Sequence, residues 1–141
     1  AIDDKGRLSI PARYRQVLKQ RRERGLVLID PLFDACIAAY PIRSWQQIEQ
    51  SLLGRGTSDK RFRDYARLMS ARAVESPIDS QGRILIPPQL RGRADLRRDV
   101  MIVGVLDKVE IWSKERWDQF VAQERDPEDY AAKLAELGIR L

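Results

Sequence analysis

The sequence of 141 residues contains no histidine and a single cysteine, Cys36. Without histidine, the chain cannot build a Ser-His-Asp or Cys-His nucleophile, a histidine general base or a histidine metal site. One cysteine allows neither an intrachain disulfide nor a cysteine-built zinc site, so we expect no metal and no cofactor. Because Cys36 has apolar neighbours, we interpret it as a small core residue of a protein in a reducing cytoplasm.

Long hydrophobic runs are also missing from the chain. No apolar stretch approaches the ~20 residues that a membrane-spanning helix requires, and no signal peptide is recognisable, so we expect no membrane partner. Apolar residues make up 43% of the chain and charged residues 33%, which is a balance typical of a globular domain. A chain of this length buries roughly two thirds of its unfolded surface, enough for a hydrophobic core.

The net charge of +5 is concentrated in three basic segments. Residues 1–24 carry eight basic and three acidic side chains, residues 55–72 carry six and two, and residues 83–98 carry five and one. Residues 114–141 are acidic, with seven acidic and five basic side chains. Clustered positive charge favours a polyanionic partner such as nucleic acid.

The chain contains an internal repeat. Residues 3–11 read Asp-Asp-Lys-Gly-Arg-Leu-Ser-Ile-Pro, and residues 79–87 read Asp-Ser-Gln-Gly-Arg-Ile-Leu-Ile-Pro, 76 positions later. Further matches place Arg15 against Arg91, Tyr40 against Trp112 and Trp45 against Trp117. We therefore divide the chain into a first repeat (1–46), a helical insertion (47–74), a second repeat (75–118) and a C-terminal helical tail (119–141).

Each repeat is predicted to consist mainly of strands. In the Asp-x-x-Gly-Arg segment the aspartate can accept hydrogen bonds from the backbone and the glycine tolerates positive φ, so the segment predicts a turn. Alternating apolar residues after each turn predict a half-buried strand, and Pro11 and Pro87 end these strands and open short helical turns. The predicted strands are Leu8–Ile10, Leu26–Ile29, Ile37–Tyr40, Ile84–Ile86, Val100–Val103 and Lys108–Trp112.

Helices are predicted from capping residues and apolar stripes. Ser44 and Gln47 form a capping box for a helix that ends at Gly54, and Ser113 begins the matching helix of the second repeat. The segment Gly54-Arg55-Gly56-Thr57 lacks the strand and the lysine of a phosphate-binding loop, so we interpret it as a helix end and a linker.

Two further helices lie outside the repeats. Asp59 can cap a helix that runs to about Ala73, and Asp126 with Pro127 begins a last helix that ends at Gly138. Their apolar stripes, Phe62–Met69 and Tyr130–Leu137, are candidates for contact with the chain's own barrel or with a neighbouring subunit.

A repeat with so few strands cannot enclose a core alone. Two copies related by a pseudo-twofold axis can interleave their strands into a small closed barrel, so we predict an α+β fold of this kind with flanking helices. The two turns then lie on the same side of the barrel, where arginine can bind phosphate or guanine and glutamine can read an adenine edge. The predicted DNA-binding residues are Lys5, Gly6, Arg7, Gln81, Gly82 and Arg83, with secondary phosphate contacts from Arg13, Arg15 and Arg91.

Other interpretations of the turns stay open at this point. Arg7 and Arg83 could be internal ion pairs that fasten the turns, a function that is compatible with DNA contact. A magnesium-dependent nuclease could use Asp3, Asp4 and Asp79, but each motif acid has a cation beside it and no further acid cluster accompanies them. We therefore expect no enzyme and no small-molecule substrate.

At these residues the sequence resembles the MraZ family of bacterial transcriptional regulators, within the wider SpoVT/AbrB group. The resemblance covers nearly the whole chain and rests on the two Asp-x-x-Gly-Arg turns, on Tyr40-Pro41 before Trp45, and on Val100–Gly104 leading to Glu110-Ile111-Trp112. Gln81 stands in the second repeat where the first has Lys5.

The resemblance implies a swapped-hairpin, AbrB-like barrel made by both repeats of one chain and a ring-shaped homo-oligomer. It implies a cytoplasmic, nucleoid-associated regulator that binds short direct repeats in double-stranded DNA upstream of the division and cell-wall gene cluster. It places the DNA-contacting motif on Lys5, Gly6 and Arg7, and on Gly82 and Arg83. Because the AbrB group includes antitoxins, an antitoxin-like interaction module is the alternative.

Overall fold

A computed structural model describes residues 1–54 and 59–141. The predicted linker over residues 55–57 therefore lies outside the described residues. The strands are β1 (Arg7–Ser9), β2 (Gly25–Ile29), β3 (Ile37–Pro41), β4 (Val74–Pro77), β5 (Arg83–Leu85), β6 (Val100–Val105) and β7 (Lys108–Ser113). The helices are α1 (Ala12–Gln20), α2 (Ile42–Gly54), α3 (Lys60–Arg72), α4 (Pro88–Arg93), α5 (Lys114–Ala122) and α6 (Pro127–Glu136).

The strands form two antiparallel units. β1 and β5 pair as a two-stranded ribbon, and the other five form a sheet in the order β4-β2-β3-β7-β6. β1 and β5, like β3 and β7, come from different repeats, so the repeats interleave as predicted. The mixed α+β class is confirmed.

A pseudo-twofold relation between the repeats is visible in the backbone. Leu8 pairs with its repeat counterpart Ile84 at the centre of the ribbon. The Ile10 N–H donates to the carbonyl of Gly82, and the Ile86 N–H donates to the carbonyl of Gly6, each at 2.9 Å. Through these reciprocal bonds, each repeat holds the turn of the other repeat at its end of the ribbon.

The expected closed barrel is not formed among the described residues. The ladder of the large sheet ends at β4 and β6, and the ribbon is a separate unit. The Ser76 hydroxyl links the two units, since it donates to the Leu85 carbonyl at 2.9 Å and accepts from the Leu85 N–H at 3.2 Å. The ribbon strands are short because Pro11 and Pro87, which have no N–H, end them just beyond the turns.

The sheet separates two hydrophobic clusters. On one face, Leu8 and Ile84 of the ribbon, with Ile10 and Ile86 just beyond its strands, pack with alternate sheet residues and with α1 and α4. On the other face, Val27, Ile29 and Ala38 pack against Trp45 of α2 and Met69 of α3. The ribbon and helices α2 and α3 therefore lie on opposite sides of the sheet.

Cys36 is 2% exposed, as its core assignment predicted, and burial raises the pKa of its thiol to about 12.

The predicted caps are confirmed at three helices. Asp59 accepts from the backbone N–H groups of Arg61 and Phe62, Ser113 from that of Arg116, and Asp126 from that of Glu128. The capping box at Ser44 is wrong, because α2 begins two residues earlier, at Ile42. There the Glu23 carboxylate, 20 residues back in the chain, accepts from the Arg43 N–H at 3.3 Å.

No helix in the described part of the chain is both long and apolar enough to cross a membrane.

Candidate nucleic-acid interface

The outward face of the ribbon carries four side chains. Leu8 and Ile84 point into the core at 2% and 1% exposure, and side chains alternate along a strand, so their neighbours point outward. The register pairs Arg7 with Leu85 and Ser9 with Arg83. Arg7 and Arg83 are therefore diagonal neighbours on one face. The Cα atoms of such diagonal pairs usually lie about 7–8 Å apart.

The turn before β1 is held by Asp3. Its Oδ1 accepts from the Lys5 N–H at 3.0 Å and from the Arg7 N–H at 2.9 Å, and its Oδ2 accepts from Arg7 Nε at 2.7 Å. Gly6 adopts φ +83°, a left-handed conformation that glycine tolerates.

The turn before β5 repeats this arrangement. Asp79 Oδ1 accepts from the Gln81 and Arg83 N–H groups at 2.9 Å each, and its Oδ2 accepts from Arg83 Nε at 2.9 Å. Gly82 has φ +76°. Backbone hydrogen bonds from Arg7 and Arg83 are the main cause that lowers the pKa of Asp3 and Asp79, respectively. Both acids are therefore held in the charged form that fastens the turn.

The ion pairs also orient the arginines. In both turns the aspartate engages Nε, and within the described ranges neither arginine's terminal nitrogens make a hydrogen bond. The side chains of Arg7 and Arg83 stay 34% and 25% exposed. Fork donors of this kind can bind a phosphate or the O6 and N7 atoms of guanine. Fastening the turn and presenting a donor are thus performed by different atoms of the same side chain.

Each turn is covered by an arginine from the other repeat. The Arg91 guanidinium lies against Gly6, where an added Cβ would come within 2.9 Å of Cζ, and Arg15 lies against Gly82 in the same way. The sequence alone did not indicate that each arginine covers the turn of the other repeat, because Arg15 and Arg91 each follow the turn of their own repeat in the chain. Both glycines are buried under these arginines. They therefore allow the backbone conformation of the turn and are not exposed at its tip.

Substitution of Gly82 by alanine should destabilise the protein. A Cβ there meets Arg15, and an alanine at positive φ costs about 1–2 kcal/mol. The matched control is Gly92→Ala in α4, where a Cβ meets nothing within 4 Å and alanine favours the helix by roughly 1 kcal/mol. Thermal unfolding should show a lower Tm for Gly82→Ala and an unchanged or higher Tm for Gly92→Ala; equal Tm values would contradict the assigned turn.

The other predicted site residues take different places. Lys5 and Gln81 occupy equivalent exposed positions at the two turn tips. Arg13 folds back on its neighbour, because its guanidinium donates to the Tyr14 hydroxyl at 2.9 Å and lies 4.7 Å from the Tyr14 ring centre. Arg13 thus belongs to α1 rather than to a turn tip.

The basic segments do not share one surface. The segments 1–24 and 83–98 contain the ribbon, its turns and α1 and α4, whereas α3 of the segment 55–72 packs on the opposite face of the sheet. The ribbon therefore shares its side of the sheet with two of the three basic segments. The acids considered for a nuclease are not assembled either: the described residues hold no cluster of three or more potential metal ligands.

The internal repeat matches a known protein family. The family model described as "MraZ protein, putative antitoxin-like" matches residues 1–68 and again residues 69–137. The chain belongs to the MraZ family. The double match shows that the internal repeat is the repeat of the MraZ family.

Curated members of the MraZ family are similar over most of their length. The chain is 44% identical over 117 residues to a protein of Thermomicrobium roseum, covering 83% of this chain and 79% of the relative. It is 39% identical over 124 residues to one of Actinobacillus pleuropneumoniae serotype 3 (88% and 82%), and 41% identical over 118 residues to one of Shewanella oneidensis (84% and 78%). All three relatives are named transcriptional regulator MraZ.

Proposed function

We propose that the chain is a sequence-specific DNA-binding transcriptional regulator and that the β1–β5 ribbon enters the major groove. The observation that carries this proposal is the pair of oriented, partly exposed arginines on one face of a two-stranded ribbon. The major groove, about 12 Å wide, admits such a ribbon. The names of the relatives, all transcriptional regulators, support the same function.

The proposal gives each predicted site residue a task. Arg7 and Arg83 read guanine edges, Lys5 binds a phosphate and Gln81 reads an adenine edge. Gly6 and Gly82 let the turns form, while Arg13, Arg15 and Arg91 contribute positive charge near the phosphates. This function needs no catalytic residue and no cofactor. The reciprocal bonds between the repeats support the further proposal that their hairpins are exchanged.

For the target, we propose short direct repeats upstream of the division and cell-wall gene cluster. The family resemblance supports this target, and it implies a cytoplasmic protein associated with the nucleoid. One ribbon presents only two arginines to bases, so several copies reading several repeats would increase both affinity and specificity.

For the assembly, we propose a closed ring of identical chains joined through α6. No residue of α6 is buried. Tyr130 in α6 is 53% exposed, and Leu137, the residue that follows the helix, is 60% exposed. The proposed receiving surface on the next copy is the groove between α2 and α3, about 240 Å³ in volume. It is lined by four apolar residues, Trp45, Leu52, Phe62 and Ala66, and by four polar ones, Glu49, Arg63, Arg67 and Ser70. Charge also fits, because α3 has five basic residues and one acidic, whereas α6 has three acidic and one basic. Head-to-tail contacts of this kind close into rings when the rotation permits.

Salt dependence tests the proposed DNA contact. Each neutralised phosphate releases counterions, so log K should fall with log salt by about 0.9 per contact, or about 5 for six contacts. Fluorescence anisotropy of a labelled duplex at several salt concentrations measures this slope. Lys114→Ala/Arg125→Ala should keep the wild-type slope, because both residues lie in the acidic segment 114–141 and outside α3 and α6. A flat line for the wild type would contradict the proposal.

An antitoxin-like function is the second candidate, favoured by the family description alone. It requires a toxin partner, which an adjacent gene would encode. Co-expression of that gene with and without this chain separates the functions, since only an antitoxin restores growth.

A further inference from the structure

The ribbon's outward face contains one apolar side chain among polar ones. Leu85 is 52% exposed and lies directly opposite Arg7 in the ribbon register. Its backbone is fixed on the side of β4, because its N–H and its carbonyl both bond to the hydroxyl of Ser76, which is 3% exposed. The leucine is thus held in place while its side chain faces outward beside the arginines.

The pseudo-twofold relation makes Leu85 informative. Its counterpart in the first repeat is Ser9, which is also exposed and which pairs with Arg83. The two ends of the face are therefore chemically different: Arg7 has an apolar neighbour across the ribbon, and Arg83 has a hydroxyl neighbour. The two ends of the face are therefore suited to different base pairs.

We propose that Leu85 is a specificity-determining residue that contacts the C5-methyl group of a thymine in the major groove. Among the base edges of that groove, the thymine methyl is the apolar group, and apolar side chains recognise it by contact. A base step that offers guanine to Arg7 and thymine to Leu85 satisfies both neighbours at once. Ser9 in the first repeat can only make a polar contact at the equivalent place, so one chain reads an asymmetric site.

This inference rests on the proposed function and can be tested separately from it. A duplex enriched from a random-sequence pool by the wild-type protein is resynthesised with deoxyuridine at one thymine at a time, which removes only the methyl group. We expect a loss of about fourfold in affinity at the contacted thymine, the equivalent of the ~0.8 kcal/mol that one buried methylene contributes. Leu85→Ala should bind thymine and deoxyuridine duplexes equally at that position, whereas Leu85→Met should restore the difference.

The matched control is Leu106→Ala, which removes the same atoms from a fully exposed leucine in the β6–β7 hairpin. It should keep the wild-type penalty for deoxyuridine. If the wild type binds the enriched duplex but no deoxyuridine position matters, or if Leu85→Ala keeps the full penalty, the inference is overturned and the proposed function stands. If the wild type enriches no duplex over random sequence, both are overturned.

Discussion

Replacing Arg7 and Arg83 together by alanine is expected to abolish sequence-specific DNA binding while the fold remains intact. Each bidentate contact to a base contributes about 1–3 kcal/mol of discrimination, so the double variant should lose about 30-fold or more in specific affinity. Several copies on several repeats would enlarge this loss. Competition between specific and scrambled duplexes, followed by anisotropy, measures it.

The fold should survive because both ion pairs are partly exposed, and exposed pairs contribute only about 0–1 kcal/mol. The remaining backbone hydrogen bonds to Asp3 and Asp79 still hold the turns. Lys114→Ala/Arg125→Ala is the matched control, since it removes two positive charges outside the three basic segments and outside the proposed contact between α3 and α6. A markedly lower Tm of the arginine variant would instead show that Arg7 and Arg83 are mainly structural.

Replacing the apolar stripe of α6 by serine, as Tyr130→Ser/Leu134→Ser/Leu137→Ser, should convert the assembly to a monomer. The stripe has no buried residue within one chain, so these substitutions should cost little in the monomer and remove the contact between copies. Light scattering should then give a mass near 16.3 kDa instead of a multiple of it.

Two further variants make the assembly test specific. Ala66→Glu places an acid in the α2–α3 groove and should also release monomers, because it repels the acidic α6 of the neighbour. Leu106→Ser, an equally drastic change at an exposed hairpin, should leave the mass unchanged. A wild type that is monomeric at micromolar concentration would refute the ring, and a triple-serine variant of unchanged mass would refute contact through α6.

Features that depend on nearby residues could be predicted from the sequence. The Asp-x-x-Gly-Arg turns close through bonds between residues two to four positions apart, and the caps at Asp59 and Asp126 act within one helical turn. The start of α2 was missed because its partner Glu23 is distant in sequence.

Features that depend on the tertiary arrangement could not be read from the chain. The coverage of Gly6 by Arg91 and of Gly82 by Arg15 requires the two repeats to be already interleaved. The basic segment of α3 looked equivalent to the other two in charge, yet Met69 buries that helix against the far face of the sheet. The closed barrel was expected from the repeat, but the proline-limited ribbon does not extend the sheet's ladder.

The central claim, that the outward face of the β1–β5 ribbon lies in the major groove, is tested most directly by disulfide tethering. Ser9→Cys on the ribbon is mixed with an enriched duplex whose major groove carries a thiol tether, and Arg61→Cys on α3 serves as the comparison. The native Cys36 is buried and gives little background. We expect rapid cross-linking through position 9 and none through position 61; cross-linking through position 61 alone, or equally through both, would contradict the claim.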